Sequence, residues 1–430
     1  MKTSVFFKSV LLHCTLSICS IWVSFASGQS TTTESISLRS EIRGVQPMTG
    51  IVLWHDHEQA ASDAISLEYR YCGYDEIVMA DGTYDFASID RVLDQIAGRG
   101  HQAILRFRFV YPGKPTTVPE YVRSQPGYQE TIGKSEGEKT WFCDWSHQGL
   151  QDFTLEFYTR FAERYDRDPR IAFLQTGFGL WAEYHIYDGP RQLGATFPDK
   201  AFQDRFLRHL DATLKSLPWS ISVDAADNDY SPIEDNETLL KLNFGVFDDS
   251  FLCKEHPKYN SVNWRILDID RWRRAPGGGE FSYYNRRDQK LALSENGPNG
   301  VSFEDAARQF HISYMIGNDQ PEFQSIQRIR EASMATGYRF RINRAQYRPI
   351  GSDQASVMIE LTNEGVAPIY REAYLAAGKI RSARSLRGLL PGETQTFRID
   401  SVPLSDVDQI TIQSDFILPT QTISYSASTE

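Results

Sequence analysis

Residues 171–185 read Ile171-Ala-Phe-Leu-Gln-Thr-Gly-Phe-Gly-Leu-Trp-Ala-Glu-Tyr-His185. The stretch begins with an apolar run that is typical of a strand buried on both faces. The run ends at Gly177 and Gly179, and Glu183 follows among aromatic side chains. A (β/α)8 barrel places its chemistry at the carboxyl ends of such strands. The stretch therefore predicts a barrel with Glu183 at the functional face.

Seven other segments resemble buried strands, and amphipathic helices separate several of them. The candidate strands are Gly50–Trp54, Ile65–Tyr71, His101–Phe109, Trp219–Val223, Phe244–Phe247, Gly278–Ser282 and His311–Met315. The candidate helices are Phe86–Ala97, Gln151–Tyr165, Asp199–Lys215 and Ser302–Gln309. Together with the strand that begins at Ile171, this pattern predicts an α/β protein with one (β/α)8 TIM barrel over residues 45–325. A doubly wound open sheet is the alternative, but it would need an early glycine-rich phosphate loop, which the sequence lacks.

Beyond residue 325 the periodicity changes to the alternation of a half-buried β-strand. Tyr338–Ile342, Ser356–Leu361, Thr396–Ile399 and Gln409–Gln413 alternate polar and apolar residues, with turn signals between them. This pattern predicts a small antiparallel β-sandwich domain over residues 326–430. A long segment from Val110 to Leu150, rich in glycine, proline and charge, interrupts the barrel pattern and is expected to be a functional insertion.

The amino-terminal residues 1–28 have the pattern of a secretory signal peptide. Lys2 and Lys8 precede a mostly apolar run, and small residues follow at positions 24–28. The apolar run is too short for a membrane span, so we expect no membrane span. Residues 29–44 are rich in serine and threonine and are expected to be a short leader. The protein is therefore expected to be secreted or periplasmic.

Charge and cysteine content narrow the classes of partner. The net charge is −11 at pH 7, which disfavours nucleic acid as a partner, although a local basic cleft could still bind an anionic polysaccharide. Beyond the signal, Cys72, Cys143 and Cys253 are present. An odd number allows at most one internal disulfide and leaves one thiol, so the chain is not a disulfide scaffold.

Two glutamates stand in the same local pattern of glycine, short run and aromatic residues. Glu183 follows Gly179, and Glu280 follows Gly277–Gly279 and precedes Phe281. Glycoside hydrolysis requires two carboxyl groups across the scissile bond, and a barrel gathers residues from different strand ends. The sequence therefore predicts Glu183 and Glu280 as a catalytic pair. The alternative for Glu183 is an ion pair with a core arginine such as Arg106.

Other side chains at the expected strand ends are candidates for substrate binding. Arginine can hold a carboxylate or an anionic sugar group, aromatic rings stack on sugar faces, and polar side chains bond hydroxyls. These candidates are Arg106, His55, Trp181, Tyr184, His185, Asp224, Asp248 and Tyr283. Two histidines around Asp56 are too weak a pattern for a metal site, so we expect neither a metal nor another cofactor.

Several motifs resemble those of secreted barrel proteins related to the clan A, or β-galactosidase-like, glycoside hydrolases. They are the fourth-strand run 177–185, the segment 75–90 with its Tyr-Asp-Phe and Ile-Asp pairs, Gly278-Gly-Glu280 and, in the trailing sandwich, 363–370. The likeness is greatest to a bacterial branch that carries a domain of unknown function and a carboxyl-terminal β-sandwich. The resemblance implies that Glu183 is the acid/base and Glu280 the nucleophile. One departure is Ala182, because the clan usually has asparagine before its acid/base glutamate.

These patterns together predict a secreted glycoside hydrolase with a carbohydrate substrate. The resemblance, with Arg106 and Arg108, suggests a β-galactose-containing or anionic glycan of algal type. A barrel that binds glycan without cutting it is the alternative, and a polysaccharide lyase is a third class.

Overall fold

A computed structural model of the protein describes residues 32–429. The signal peptide expected at residues 1–28 lies outside the described residues. No helix in the described part of the chain is long and apolar enough to cross a membrane.

The first part of the described chain is built from twelve strands. In chain order they are β1 (Glu34–Ser35), β2 (Arg39–Ser40), β3 (Gly50–Trp54), β4 (Leu67–Gly73), β5 (Gln102–Arg108), β6 (Thr131–Ser135), β7 (Glu138–Phe142), β8 (Ile171–Thr176), β9 (Trp219–Ser222), β10 (Phe244–Phe251), β11 (Gly277–Phe281) and β12 (Tyr314–Ile316). Eight of them, β3, β4, β5, β8, β9, β10, β11 and β12, form a closed barrel in that order. The paired barrel strands are parallel. The predicted barrel and each of its eight predicted strands are therefore confirmed.

Ten α-helices are present in the described chain. They are α1 (Ala87–Gly98), α2 (Glu120–Arg123), α3 (Gln148–Tyr165), α4 (Lys200–Thr213), α5 (Glu237–Leu240), α6 (Asn260–Ile266), α7 (Arg286–Leu291), α8 (Phe303–Phe310), α9 (Gln320–Phe323) and α10 (Ile326–Met334). The predicted helices correspond to α1, α3, α4 and α8. In α3 the buried side chains recur every three or four residues, so one stripe of this helix packs on the barrel.

The carboxyl-terminal part is antiparallel except for one parallel pair of strands. Its strands are β13 (Phe340–Ile350), β14 (Gln354–Asn363), β15 (Tyr374–Ala377), β16 (Ile380–Arg381), β17 (Thr394–Pro403), β18 (Ile410–Gln413) and β19 (Tyr425–Ser428). One sheet has the order β17-β14-β13-β19-β2, with β1 paired to β13, and a second has the order β16-β15-β18. Strand β19 runs parallel to β13. Buried side chains of both sheets share one core, so this part is the expected sandwich.

The expected leader and domain boundary differ from the structure in detail. The described part of residues 29–44 contains β1 and β2, which pair with β13 and β19 and so belong to the sandwich. Helix α10 lies beyond residue 325 but packs on the barrel: Ser333 Oγ accepts a hydrogen bond from the Ile51 amide at 3.0 Å and donates one to the Ala64 carbonyl at 2.7 Å. The serine-rich composition of residues 29–44 predicted a leader. Strands β1 and β2 were not predicted, because a strand of two residues is too short to show a pattern in the sequence.

The sandwich lies against the amino-terminal ends of the barrel strands. Arg371 Nη2 donates to the carbonyl of Ile171 at 2.8 Å, and Gln102 Nε2 donates to the carbonyl of Phe416 at 3.0 Å. Both Gln102 and Ile171 are the first residues of their strands. The opposite, carboxyl-terminal end of the barrel is therefore left to the loops that build the site.

All three described cysteines, Cys72, Cys143 and Cys253, are buried and free. Burial raises the pKa of the Cys72 thiol to about 12 and that of Cys253 to about 11. The thiols therefore act as small apolar side chains in the core.

Candidate active site

A cleft of about 530 Å³ opens at the carboxyl-terminal end of the barrel. All eight barrel strands contribute to its walls, through their carboxyl-terminal ends or the loops that follow them, together with the β6–β7 hairpin of the insertion. The lining residues include Trp54, Tyr71, Tyr111, Glu136, Trp181, Glu183, His185, Tyr187, Asp224, Asp249, Asn263, Glu280, Tyr283, Tyr284 and Asn318. This is the volume and position expected of a ligand site in a barrel enzyme.

Alternate residues of the loop after β8 face the cleft. Trp181, Glu183, His185 and Tyr187 line it. The residues between them, Ala182, Tyr184 and Ile186, are buried with at most 2% of their surface exposed. Every second side chain from Trp181 to Tyr187 is therefore directed to the cleft, although Trp181 and Ala182, with φ of 54° and 61°, lie in a turn and not in a strand.

Gly179 lets this loop turn back on itself. Its amide donates to the carbonyl of Glu183 at 2.7 Å, and the Leu180 amide donates to the carbonyl of His185 at 3.0 Å. A Cβ at position 179 would lie 2.0 Å from the His185 carbonyl oxygen. Glycine is therefore required for the close backbone approach that carries Glu183 into the cleft.

Glu183 is held in a low-dielectric position beside a histidine. Its Oε2 lies 3.2 Å from Nε2 of His185. Burial raises the pKa of Glu183 to about 7, the Asp249 carboxylate adds to this effect, and His185 opposes it. Burial alone would lower the pKa of His185, but the Glu183 carboxylate raises it above its ordinary value. At neutral pH the carboxyl group is therefore able to hold and release a proton.

His185 is in turn fixed by Tyr187 and Asp224. The rings of His185 and Tyr187 stack with centroids 3.7 Å apart. The Tyr187 hydroxyl donates to Oδ1 of Asp224 at 2.8 Å, and the Ser222 hydroxyl donates to Oδ2 at 2.5 Å. Glu183, His185, Tyr187 and Asp224 thus lie in contact along one wall of the cleft, through two hydrogen bonds and the stacked ring pair between them.

The same wall offers three atoms that could hold a metal ion. One ligand atom each of Glu183, His185 and Asp224 lie within 4.8 Å of one another. Both carboxylate oxygens of Asp224 already accept hydrogen bonds from Tyr187 and Ser222. Asp224 is therefore already satisfied by hydrogen bonds within the protein.

Glu280 stands on β11, the seventh barrel strand, next to β10. Gly279, with φ of +154°, pairs with Asp248 of β10, and a Cβ there would lie 2.0 Å from the Asp248 carbonyl oxygen. A Cβ at Gly278 would lie 2.3 Å from the ring of Tyr314. The glycines before Glu280 therefore let β11 approach its neighbours closely enough to set this carboxyl group in the cleft.

Among residues 32–429 the Glu280 carboxyl group forms no hydrogen bond or ion pair with another side chain. Burial raises its pKa well above the ordinary value, and Asp249 and Glu183 add to the effect while Arg106 opposes it. Glu183 and Glu280 thus share one cavity and repel each other's ionised forms. The carboxyl groups of such a pair favour different protonation states, which is what acid–base catalysis by two carboxyls uses.

An ion pair between Arg106 and Asp249 forms the floor of the cleft. Arg106 is fully buried, and its Nη1 lies 2.5 Å from Oδ2 of Asp249 while its Nε donates to Gln175 Oε1 at 2.7 Å. Burial raises the pKa of Asp249, although Arg106 acts in the opposite direction. Arg106 therefore contacts Asp249, and the alternative of an ion pair with Glu183 is wrong.

The structure brings most of the predicted site residues together. Glu183, Glu280, Trp181, His185, Asp224 and Tyr283 all line the cleft, and Arg106 lies beneath it. Asp248 also borders the cleft but is 0% exposed. Its carboxylate accepts hydrogen bonds from Asn260 at 2.7 Å and Trp264 at 3.2 Å, so it holds the loop after β10 in place.

Two predicted substrate-binding residues do not border the cleft. His55 follows Trp54, whose side chain lines it, and the pleat turns His55 to the other side, where Nε2 lies 3.3 Å from Nη1 of Arg70. Tyr184 is fully buried and packs on Phe178, with centroids 5.5 Å apart. The predictions that His55 and Tyr184 bind substrate are therefore wrong, because each side chain points away from the cleft, opposite to that of its neighbour Trp54 or Glu183.

Several residues that line the site were not predicted, among them Tyr187 and Asn263. Of the two neighbours Asp248 and Asp249, only Asp248 was among the predicted site residues, whereas the packing of Phe247 under Arg106 at 4.1 Å indicates that position 249 faces inward. A register shift between Asp248 and Phe251 obscures that parity. Tyr187 continues the alternation of Trp181, Glu183 and His185 and could have been found from it. Asn263, on helix α6, gave no signal.

Comparison with known proteins assigns the chain to no family. No protein-family model matches the chain, and no curated protein matches it either. The structure is similar to the GH36 α-galactosidase AgaA from Geobacillus stearothermophilus, with 11% identity and a TM-score of 0.40 over 84% of this chain and 57% of that one. It is similar to the glycoside hydrolase family 30 xylanase Xyn30A from Clostridium acetobutylicum, with 10% identity and a TM-score of 0.40 over 85% and 98%.

A third similar structure is the α-galactosidase TtGalA from Thermus thermophilus, at 11% identity and a TM-score of 0.39 over 74% of this chain and 66% of that one. The chain spans little more than half the length of the first of these α-galactosidases. The function is therefore argued from the site alone.

Proposed function

We propose that the protein is a secreted glycoside hydrolase that acts on an uncharged glycan, with β-linked galactose-containing glycans as the first candidates. Glu183 is the general acid/base, and Glu280 is the nucleophile or the base that activates water. The proposal includes secretion or export to the periplasm, which follows from the signal pattern of residues 1–28. It requires neither a metal nor another cofactor.

One observation carries the proposal. Glu183 follows the fourth strand of a parallel barrel and Glu280 lies on the seventh, and the two glutamates line the same cavity and interact electrostatically. Two carboxyl groups across a cleft walled by Trp54, Trp181 and Tyr283 are the groups that glycosidic cleavage needs. Aromatic faces supply the apolar contact that a sugar ring accepts.

Glu183 acts first as the acid. With a pKa raised to about 7, it is protonated in about half of the empty sites at neutral pH, and the protonated form can donate its proton to the glycosidic oxygen as the C–O bond breaks. His185 stabilises the carboxylate that remains, because its Nε2 lies 3.2 Å from Oε2. In the second half of the reaction the same carboxylate takes a proton from water.

Glu280 acts on the anomeric carbon or on a water molecule next to it. Its role requires the ionised form, which burial disfavours and the buried Arg106 favours. An oxocarbenium-like centre that develops beside it carries positive charge and stabilises the ionised form further. Asp249 keeps Arg106 fixed beneath this centre.

The charge of the cleft favours an uncharged glycan over an anionic one. The expectation of an anionic substrate relied on Arg106 and Arg108. Arg106 is fully buried and paired with Asp249, and Arg108 stacks over Tyr111 at 4.8 Å. Within the described residues, carboxylates and no lysine or arginine border the cavity around Glu183. A sulfated or carboxylated sugar would meet repulsion there.

Hydrolysis of para-nitrophenyl glycosides and β-galactans tests the proposal. The wild type should release nitrophenol or reducing ends, and Glu183→Gln and Glu280→Gln should each lower kcat by roughly 10²- to 10⁴-fold. Glu156→Gln, an exposed change on α3, is the control and should retain full activity. Absence of hydrolysis across the panel by the wild type would refute the proposal.

Binding without cleavage is the second candidate function. It is favoured by the raised pKa of Glu280, since a protonated carboxyl group is not a nucleophile. Retention of the wild type on an immobilised galactan, with no new reducing ends in the same sample, would support this candidate.

A further inference from the structure

A second cavity of about 460 Å³ adjoins the cleft on the side of the His185 wall. We call this space the second cavity. Four of its lining residues do not border the cleft: Arg191, Asp227, Glu255 and Tyr259. Its remaining lining residues also border the cleft; they are His185, Tyr187, Asp224, Asn260, Asn263 and Tyr284. The two spaces therefore form one continuous groove past the side chain of His185.

Resting on the proposed function, we propose that the second cavity holds the leaving-group sugar of the substrate and that this sugar is uncharged. The substrate is then at least a disaccharide, cleaved between the cleft and the second cavity.

The positions of the two glutamates determine how the substrate is oriented along the groove. Glu183 contacts His185, which borders both spaces, whereas Glu280 borders the cleft alone. A general acid must lie beside the oxygen of the leaving group, and the second carboxyl group lies at the anomeric carbon of the sugar that is retained. The retained sugar therefore occupies the cleft beside Glu280, and the leaving sugar extends past His185 into the second cavity.

The second cavity presents groups that suit a sugar. The rings of Tyr259 and Tyr284 are 54% and 63% exposed, which is a large solvent-facing area for side chains that normally bury their faces. The Asn263 side-chain amide has no hydrogen-bond partner in the part of the chain that the structure describes. Stacking faces beside a free amide are groups that contact the CH face and the hydroxyls of a pyranose ring.

The charges of the second cavity disfavour an acidic sugar. Asp224, Asp227 and Glu255 line it. Its one lining arginine, Arg191, is already committed: Nη1 lies 3.2 Å from Oδ2 of Asp227, and the guanidinium stacks on Tyr230 at 3.7 Å. With Arg191 paired, a sulfate or carboxylate on the leaving sugar would face the Asp224 and Glu255 carboxylates, and the single ammonium of Lys258, 4.7 Å from the centre of the Tyr259 ring, offsets only part of this repulsion.

Tyr259→Ala tests the proposal, and Val262→Ala is its control. Val262 is an exposed residue of α6, the helix that begins directly after Tyr259, and it borders neither space. The substrates are the para-nitrophenyl β-glycoside that the wild type cleaves fastest and the β-linked disaccharide of the same sugar. We expect Tyr259→Ala to lower the ratio of kcat/KM for the disaccharide to that for the aryl glycoside by about tenfold, through loss of one stacking contact. Tyr259→Phe, which keeps the ring, should retain the wild-type ratio, and Val262→Ala should change neither rate.

A crystal structure of Glu183→Gln with the disaccharide gives a readout other than rate: the reducing-end sugar should lie against Tyr259. An unchanged ratio in Tyr259→Ala, or that sugar found outside the second cavity, overturns this inference and leaves the proposed function standing. A wild type that cleaves neither substrate overturns both. A disaccharide with a uronic acid at its reducing end should be cleaved at least tenfold more slowly than its neutral counterpart, and equal rates would overturn the charge argument.

Discussion

Arg106 and Asp249 form an ion pair on the floor of the cleft, with Nη1 and Oδ2 2.5 Å apart and the arginine fully buried. The pair joins the third barrel strand to the sixth, three strands further around the barrel. It also sets the field felt by both glutamates, because Asp249 raises the pKa of Glu183 and of Glu280 while Arg106 opposes this rise at Glu280. The stability and the chemistry of the site therefore depend on the same contact.

Asp249→Asn should destabilise the protein by about 3 kcal/mol, because it leaves the buried Arg106 guanidinium without its counter-charge. Denaturant-induced unfolding at pH 7 measures the change. Asp270→Asn, which breaks a pair with Arg273 in which both side chains are more than half exposed, should cost no more than about 0.5 kcal/mol. Equal losses of unfolding free energy in the two variants would contradict the expectation that a buried ion pair is more costly to break than an exposed one.

Glu183→Gln should make the folded protein more stable at alkaline pH. The folded state raises the pKa of Glu183 from 4.5 to about 7, so it binds more protons than the unfolded chain between those values. Stability from this group is complete below about pH 4.5 and is lost as the pH rises through 7. The variant, which cannot ionise, should gain about 3 kcal/mol over the wild type at pH 8 and almost nothing at pH 4.

Thermal unfolding of both proteins across this pH range measures the difference. The same substitution at exposed Glu156 serves as the control and should give parallel curves. A difference between wild type and Glu183→Gln that is constant with pH would mean that the carboxyl group is not held protonated.

His185→Gln should move the alkaline limb of the activity profile to higher pH by roughly one pH unit. The limb reports loss of the Glu183 proton, and His185 lowers the pKa of this carboxyl group, so removing the imidazole lets the pKa rise. The measurement is kcat/KM against pH on an aryl glycoside. His209→Gln, at a half-buried position on α4, is the control. A limb that moves to lower pH would exclude Glu183 as the acid.

Gly279→Ala should cost several kcal/mol of stability and most of the activity. Its φ of +154° is unfavourable for alanine, and the new Cβ would lie 2.0 Å from a backbone oxygen of β10, so strands β10 and β11 would have to separate. Gly98→Ala, where a Cβ meets nothing within 4 Å, should be neutral or slightly stabilising. Full activity in soluble Gly279→Ala would show that the position of Glu280 does not depend on the close approach of strands β10 and β11.

The barrel could be predicted from the sequence because parallel strands buried on both faces leave a clear pattern. All eight strands were found, including the short β12. The site was predicted less completely, for a geometric reason. A strand end shows which residues lie there but not which of two neighbours faces inward, and the register shift after Asp248 hides the parity that selects Asp249.

The same limit explains His55 and Tyr184. Each stands next to a residue that borders the cleft, Trp54 and Glu183 respectively, and each points the other way. Residues supplied by separate helices, such as Asn263 on α6, depend on tertiary packing, which no local pattern encodes. The strands β1 and β2 were missed because two residues are too few to show an alternation.

Strand β2 pairs with β19, so residues 39–40 and 427–428 are hydrogen-bonded neighbours in one sheet. A ribosome synthesises β2 second and β19 last among the described strands. The larger sheet of the sandwich therefore cannot be completed until almost the whole described chain has been made, whereas the barrel strands are all available earlier. Chain synthesis thus imposes an order of assembly in which all barrel strands are available, with their amino-terminal ends uncovered, before the larger sheet of the sandwich is complete.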